Sequence, residues 1–154
     1  MKKILFICHG NICRSPMAEF IMKDKLKKRH LENAFYIESA GTSSEEIWGK
    51  KGNPVYPPAK KMLAKHGISC EGKRARQICR DDYDRFDYLI AMEDVNLRRM
   101  KPFFPDDPQK KIFKLLDFGG GGADIDDPWY TGDFEGVYKQ IETGCEALIG
   151  YLVK

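Results

Sequence analysis

Apolar residues fall along this 154-residue chain in two alternating rhythms. Ile4-Leu5-Phe6-Ile7 is an unbroken apolar run, which suits a parallel strand covered on both faces. Ala18, Met22 and Leu26 then recur four apart, with Met17 and Ile21 beside them, as on one helix face. Ser15 is a suitable N-cap for that helix and Pro16 a suitable first residue. Phe35-Tyr36-Ile37-Glu38-Ser39 reads as a second strand. A loop with Gly41, Gly49, Gly52 and Asn53-Pro54 follows. Pro57-Pro58 opens a helix carrying Met62 and Leu63, with His66 at its terminus and Gly67 ending it. Asp87-Tyr88-Leu89-Ile90-Ala91-Met92 reads as a third strand, followed by a short helix from Asn96 to Met100. Ile112 to Leu116 reads as a fourth strand. Gly119 to Gly122 makes a flexible loop, and a last helix spans Phe134 to Leu152, with Val137, Ile141, Leu148 and Leu152 inward.

Alternating strands and helices imply a parallel sheet with right-handed crossovers. The expected fold is a single three-layer α/β domain over residues 1–154: a four-stranded parallel sheet with helices on both faces. The length suits one core, and no internal repeat, long linker or second domain is visible. Ligands of such sheets bind at the carboxyl ends of the strands. That rule draws attention to the end of the first strand.

Cys8-His9-Gly10-Asn11-Ile12-Cys13-Arg14-Ser15-Pro16 joins the first strand to the first helix. A tight loop at a helix N-terminus can turn its N–H groups onto a phosphate-sized dianion. Arg14 adds a planar fork that binds two phosphate oxygens at once. The same positive field favours the thiolate of Cys8, the form that acts as nucleophile. The spacing therefore suggests in-line attack of sulfur on phosphorus, with the amides of His9, Gly10, Ile12 and Cys13 among the phosphate-binding groups. Gly10 and Asn11 suit left-handed backbone positions, and the Asn11 amide can tie the loop together. The Ser15 hydroxyl can donate to the Cys8 thiolate, cap the helix, or do both.

A leaving oxygen also needs a proton. Two Asp-Asp-Pro sequences offer one, Asp106-Asp107-Pro108 and Asp126-Asp127-Pro128. Asp107 precedes the fourth strand and belongs at the amino edge of the sheet. Asp127 follows it, on the side of Cys8, and is the expected acid and base. Asp126 is the alternative. Trp129 and Tyr130 come next and can wall a pocket for a flat ring.

Cys8 to Pro16 resembles the signature of the low-molecular-weight protein tyrosine phosphatases, and so does Asp127-Pro128-Trp129-Tyr130. The resemblance spans almost the whole chain. It implies hydrolysis of phosphotyrosine through a Cys8 thiophosphate, without cofactor or metal. It implies that Trp48, in the loop after the second strand, flanks the cleft, unless it simply anchors that loop. It implies that Ser39 supports Asn11, and that Cys13 traps oxidised Cys8 as a reversible disulfide, unless Cys13 is a small core residue. His9 replaces the family's usual apolar residue. It is expected to face away from the ligand or to shape the entrance, with a role as base as the other reading. The family's loop-ordering histidine has no counterpart near Gly72. Glu93 and Asp94 read as loop or cap residues.

Other readings stay open. Arsenate reduction on the same scaffold needs resolving cysteines near the site, and Met92-Glu93-Asp94 has none. Relatives that favour phosphoarginine carry threonine where Ile12 stands. A phosphate-binding module without turnover would not need the thiol. A net charge of +3 suits anionic substrates without suggesting nucleic acid. The basic run from Lys23 to Arg29 reads as a solvated helix face. The apolar run after Met1-Lys2-Lys3 is too short for a secretory signal, and no segment reaches the length of a membrane span. Five cysteines, an odd number without scaffold or zinc spacing, fit a reducing compartment, the cytoplasm. The expected partner is a phosphotyrosine-bearing protein substrate. The chain is expected to be a monomer, with weak self-association open.

Overall fold

The computed structural model describes residues 1–153. Its main sheet has four parallel strands: β1 (Lys2–Cys8), β2 (Phe35–Gly41), β5 (Tyr88–Ala91) and β6 (Ile112–Lys114), in the order β2-β1-β5-β6. A two-residue-strand hairpin, β3 (Ile47–Trp48) with β4 (Lys51–Gly52), stands apart in the loop after β2. The predicted parallel sheet is thus present, and its fourth strand is shorter than the apolar run suggested. After Lys114 the chain turns into a 3-10 segment, Leu115–Asp117. Asp117 Oδ2 accepts the Lys114 N–H there at 2.7 Å, which takes that amide away from the ladder.

β1 shows why its sequence is apolar throughout. Ile4, Phe6 and Cys8 enter one core with helices α1 (Arg14–Lys28), α2 (Pro57–Lys65) and α6 (Phe134–Leu152). Leu5 and Ile7 enter a second core on the opposite face. There they meet Phe86, at the end of α3 (Asp82–Arg85), and Met100 of α4 (Asp94–Met100). The four side chains Ile4 to Ile7 are fully buried, so each position must be apolar whichever way it points. A further short helix, α5 (Pro128–Thr131), follows Asp127. Its four residues and those of α3 are too few to leave a periodic pattern.

Helix α1 starts two residues earlier than Ser15 as cap would allow. Its N-cap is Cys13, and Ser15 lies inside the first turn, fully buried. His66 caps the C-terminus of α2 and stacks on Tyr138 of α6, ring centroids 3.9 Å apart. Among the described residues no helix is long and apolar enough to cross a membrane.

In the order β2-β1-β5-β6 the chain winds one way from β1 to β2 and the other way from β1 to β5. The crevice beyond the carboxyl ends of β1 and β5 is therefore the natural ligand site. The loops after these two strands begin at His9 and Met92.

Candidate active site

Those two loops, with the segment that ends at Tyr130, line a cleft of about 560 Å³. Cys8, Arg14 and Asp127 all face it. So do His9, Gly10, Ile12 and Cys13 of the phosphate loop, and Trp129 and Tyr130 of α5.

The loop is held from behind by a buried chain of polar groups. Asn11 takes the left-handed conformation, φ 60°, which turns its side chain inward. Its Nδ2 donates to Ser15 Oγ at 2.9 Å and to Ser39 Oγ at 3.0 Å, and its Oδ1 accepts the Arg76 N–H at 3.0 Å. Ser39 donates in turn to Glu19 Oε1 at 2.6 Å. Lys73 Nζ lies 3.3 Å from the same oxygen and donates to the Ser39 carbonyl at 2.8 Å. Asn11, Ser15, Glu19 and Ser39 are all buried. Lys73 and Arg76 thus support the loop from the stretch where a histidine was missed. Gly10, expected to be left-handed, is not among the positive-φ residues. A side chain there would press on Glu46 Cγ at 3.2 Å, so its smallness serves packing.

Ser15 Oγ is 2.9 Å from Cys8 Sγ. Asn11 donates to that hydroxyl, so the serine proton is left to the sulfur or to the Ala40 carbonyl at 3.4 Å, and the sulfur is the nearer of the two. Arg14 is buried, and its Nη1 donates to Glu93 Oε2 and to the Ile125 carbonyl, the latter at 2.9 Å. Its Nη2 lies 3.4 Å from Asp127 Oδ2. Burial disfavours the guanidinium charge, yet Cys8, Glu93 and Asp127 outweigh it and hold Arg14 above its ordinary value. Burial pushes the Cys13 thiol well up, and the charge of Cys8 adds to it, so Cys13 stays protonated beside Cys8.

Asp127 is the N-cap of α5; its Oδ1 accepts the Trp129 N–H at 3.0 Å, leaving Oδ2 towards Arg14. Asp126 turns away and exchanges hydrogen bonds with Gln140 at 3.0 and 3.1 Å. Asp107 sits at the amino edge of the sheet, where it accepts the N–H groups of Lys111 and Ile112 and the Tyr83 hydroxyl. His9 bridges two walls of the entrance. Its Nδ1 accepts from Arg99 Nη1 at 2.8 Å, so the Nε2 proton faces Glu45 Oε2 at 2.9 Å.

A family model described as "Low molecular weight phosphotyrosine protein phosphatase" matches residues 3–154. The chain belongs to that family. The low molecular weight protein-tyrosine-phosphatase YfkJ of Bacillus subtilis is 41% identical over 156 residues, covering 100% of this chain and 97% of its own. The crystal structure of YfkJ superposes with a TM-score of 0.92 at 40% identity, covering 99% and 94% of the two chains. PtpA of Staphylococcus aureus is 39% identical over 155 residues, covering 100% and 96%. The structure of SP-PTP from Streptococcus pyogenes has a TM-score of 0.86 at 36% identity, covering 100% and 95%.

Not every expected residue of this phosphatase meets the cleft. Trp48 pairs with Lys51 in the hairpin, is 75% exposed, and does not line the space above Cys8. Tyr56 was not singled out, yet its ring lies 4.8 Å from that of Trp129 and backs the aromatic wall. Glu93 caps α4 as expected and also holds Arg14, a role its sequence context does not signal. The order of the strands could have found it, since β5 must lie beside β1 before its following loop can reach Arg14. Cys70 and Cys79 do not line the cleft, which holds only Cys8 and Cys13 as thiols.

Proposed function

We propose that this chain hydrolyses phosphotyrosine in proteins, and small aryl phosphates, by way of a phosphorylated Cys8. The observation that carries this reading is the meeting of Cys8, Arg14 and Asp127 at one cleft, with the buried Ser15 hydroxyl against the Cys8 sulfur. The Cys8 thiolate attacks phosphorus while the bond to the phenolic oxygen breaks. Arg14 and the loop amides hold the equatorial oxygens, whose charge they complement best in the transition state. Asp127 gives its proton to the leaving phenolate. It then takes a proton from the water that attacks the thiophosphate, and phosphate leaves as the Cys8 thiolate returns. Trp129 and Tyr130 flank the phenyl ring.

Residues 1–154 act as one catalytic unit under this reading, supported by the family match over 3–154. The substrate is a protein bearing phosphotyrosine, as the names of the relatives suggest. The reducing environment of the cytoplasm suits a reaction that needs Cys8 as a free thiol.

The test is hydrolysis of an aryl phosphate and a phosphotyrosine peptide by wild type and Cys8→Ser near pH 6, with chelator present. Turnover by wild type that is lost in Cys8→Ser, with phosphate still bound, supports the reading. Turnover that survives the substitution overturns it.

A further inference from the structure

A buried lysine with no part in the chemistry above joins two walls of the cleft. Lys114 ends β6, and its side chain is 10% exposed. Its Nζ reaches Asp94 Oδ1 at 2.9 Å, Asp124 Oδ1 at 3.0 Å and the Gly122 carbonyl at 2.5 Å. Asp124 Oδ1 also accepts the Asp94 N–H at 3.0 Å. The ammonium therefore sits between the first turn of α4 and the stretch that leads to Asp127.

Each aspartate has a neighbour in the site. Glu93 precedes Asp94, Ile125 follows Asp124, and both hold Arg14 Nη1. The two segments are also joined by the Ile125 N–H, which donates to the Met92 carbonyl at 2.8 Å. Upstream of them runs Gly119-Gly120-Gly121-Gly122, a stretch with little stiffness of its own. The position of Asp127 therefore depends on ties from outside its own segment.

Stability alone is a poor account of this lysine. Asp94 and Asp124 are 60% and 47% exposed, and ion pairs with such partners add little to folding. Yet Lys114 gives up its hydration to make them, which lysine rarely does. The hydrogen bond to Asp94, with that to Asp124, outweighs burial and holds its ammonium above the ordinary lysine value. The ammonium is therefore charged at neutral pH.

We propose that Lys114 is a positioning residue: by pinning the segment before Asp127 to α4, it sets where Asp127 meets the leaving oxygen. The proposal rests on the phosphatase reading above.

The experiment measures kcat/KM for aryl phosphates whose phenols span a range of acidity, with Ki for inorganic phosphate, in wild type, Lys114→Met and Lys114→Arg. Poor leaving groups need the acid most. The expected result for Lys114→Met is a loss of about tenfold with the least acidic phenols, under about threefold with the most acidic, and Ki within about threefold. Lys114→Arg restores most of the loss, because its guanidinium can span the same two carboxylates. A uniform loss across the series, no loss, or a rise in Ki that matches the fall in kcat/KM overturns the proposal. If Lys114→Met does not fold, Asp124→Ala, which removes the oxygen that accepts from Lys114 and from the Asp94 N–H, decides it from the exposed end of the tie. The same steeper dependence on the leaving group upholds the proposal, and an unchanged slope overturns it. A wild type without turnover removes the phosphatase reading itself; turnover with an unaltered slope in the variants removes only the role of Lys114.

Discussion

Ser15 Oγ lies 2.9 Å from Cys8 Sγ, and Asn11 holds that hydroxyl from the other side at 2.9 Å. The Asn11 amide occupies one side of the hydroxyl oxygen, and of the two acceptors left to the serine proton the sulfur is nearer than the Ala40 carbonyl at 3.4 Å. The hydroxyl is thus placed to give the sulfur a donor in both halves of the proposed reaction. Ser15→Ala keeps the helix and removes the donor. A hydrogen bond to a charged group is worth about 1.5–3 kcal/mol, or roughly 10- to 150-fold in rate. Rapid-quench or burst kinetics should show breakdown of the thiophosphate slowed by that factor, with phosphate affinity little changed. Unchanged breakdown would falsify the role.

Asp127→Asn keeps the N-cap acceptor for Trp129 and removes the transferable proton. For phosphate esters of weakly acidic phenols, kcat/KM should fall by about 100-fold or more, in line with a general acid. Esters of strongly acidic phenols should lose far less. Equal losses for both would instead point to a merely electrostatic effect on Arg14.

Gly41 closes β2 where the phosphate loop crosses it. A Cβ there would stand 2.6 Å from the His9 carbonyl oxygen and 3.1 Å from the Asn11 nitrogen, both backbone atoms that cannot swing aside. Gly41→Ala should cost about 1–3 kcal/mol of stability, as overpacking does. It should also weaken the rise in melting temperature that phosphate produces in wild type. Thermal denaturation with and without phosphate reads both, and full retention of both would show that the loop yields.

Asp107 works at the far edge of the sheet. Burial pushes its carboxyl up, but the Tyr83 hydroxyl and the Lys111 and Ile112 amides outweigh burial and hold it below its ordinary value of 3.8. A lowered value means stability that is fully present above pH 3.8 and lost as pH falls through the folded-state value. Asp107→Asn should therefore be less stable than wild type at pH 7, by about 1–2 kcal/mol. The gap should narrow once pH falls below 3.8, as at pH 3. Urea denaturation at the two pH values checks it; a gap that is the same at both would refute the assignment.

The sheet, the main helices and the order of the chain were legible because each long element carries a period, as in Ala18, Met22 and Leu26 or the unbroken run from Ile4 to Ile7. The placement of Asp127 over Asp107 followed from topology alone, since one precedes and the other follows the fourth strand. What escaped was set by contacts between distant segments. Glu93 reaches Arg14 only because β5 lies against β1. Ser15 looks like a cap by type, but the loop is wound so that the helix begins at Arg14 and the hydroxyl is turned to Cys8. Trp48 looked like a wall of the pocket, and a hairpin of two-residue strands carries it outward instead. Lys73 reaches the Ser39 carbonyl and the Arg76 backbone N–H reaches Asn11 from across the fold, contacts that no local pattern announces.

Cys8 is the last residue of a strand with a neighbour on each side, and the strand's side chains fill both cores. Interior strands of this kind open only when the whole molecule does. The Cys8 sulfur is thus moored to the kind of strand that opens last, while the entrance is built from Trp129 and Tyr130 of α5 and from side chains such as Glu45 and Arg99. Heat should therefore loosen the Asp127 side of the cleft before it releases Cys8 from the sheet.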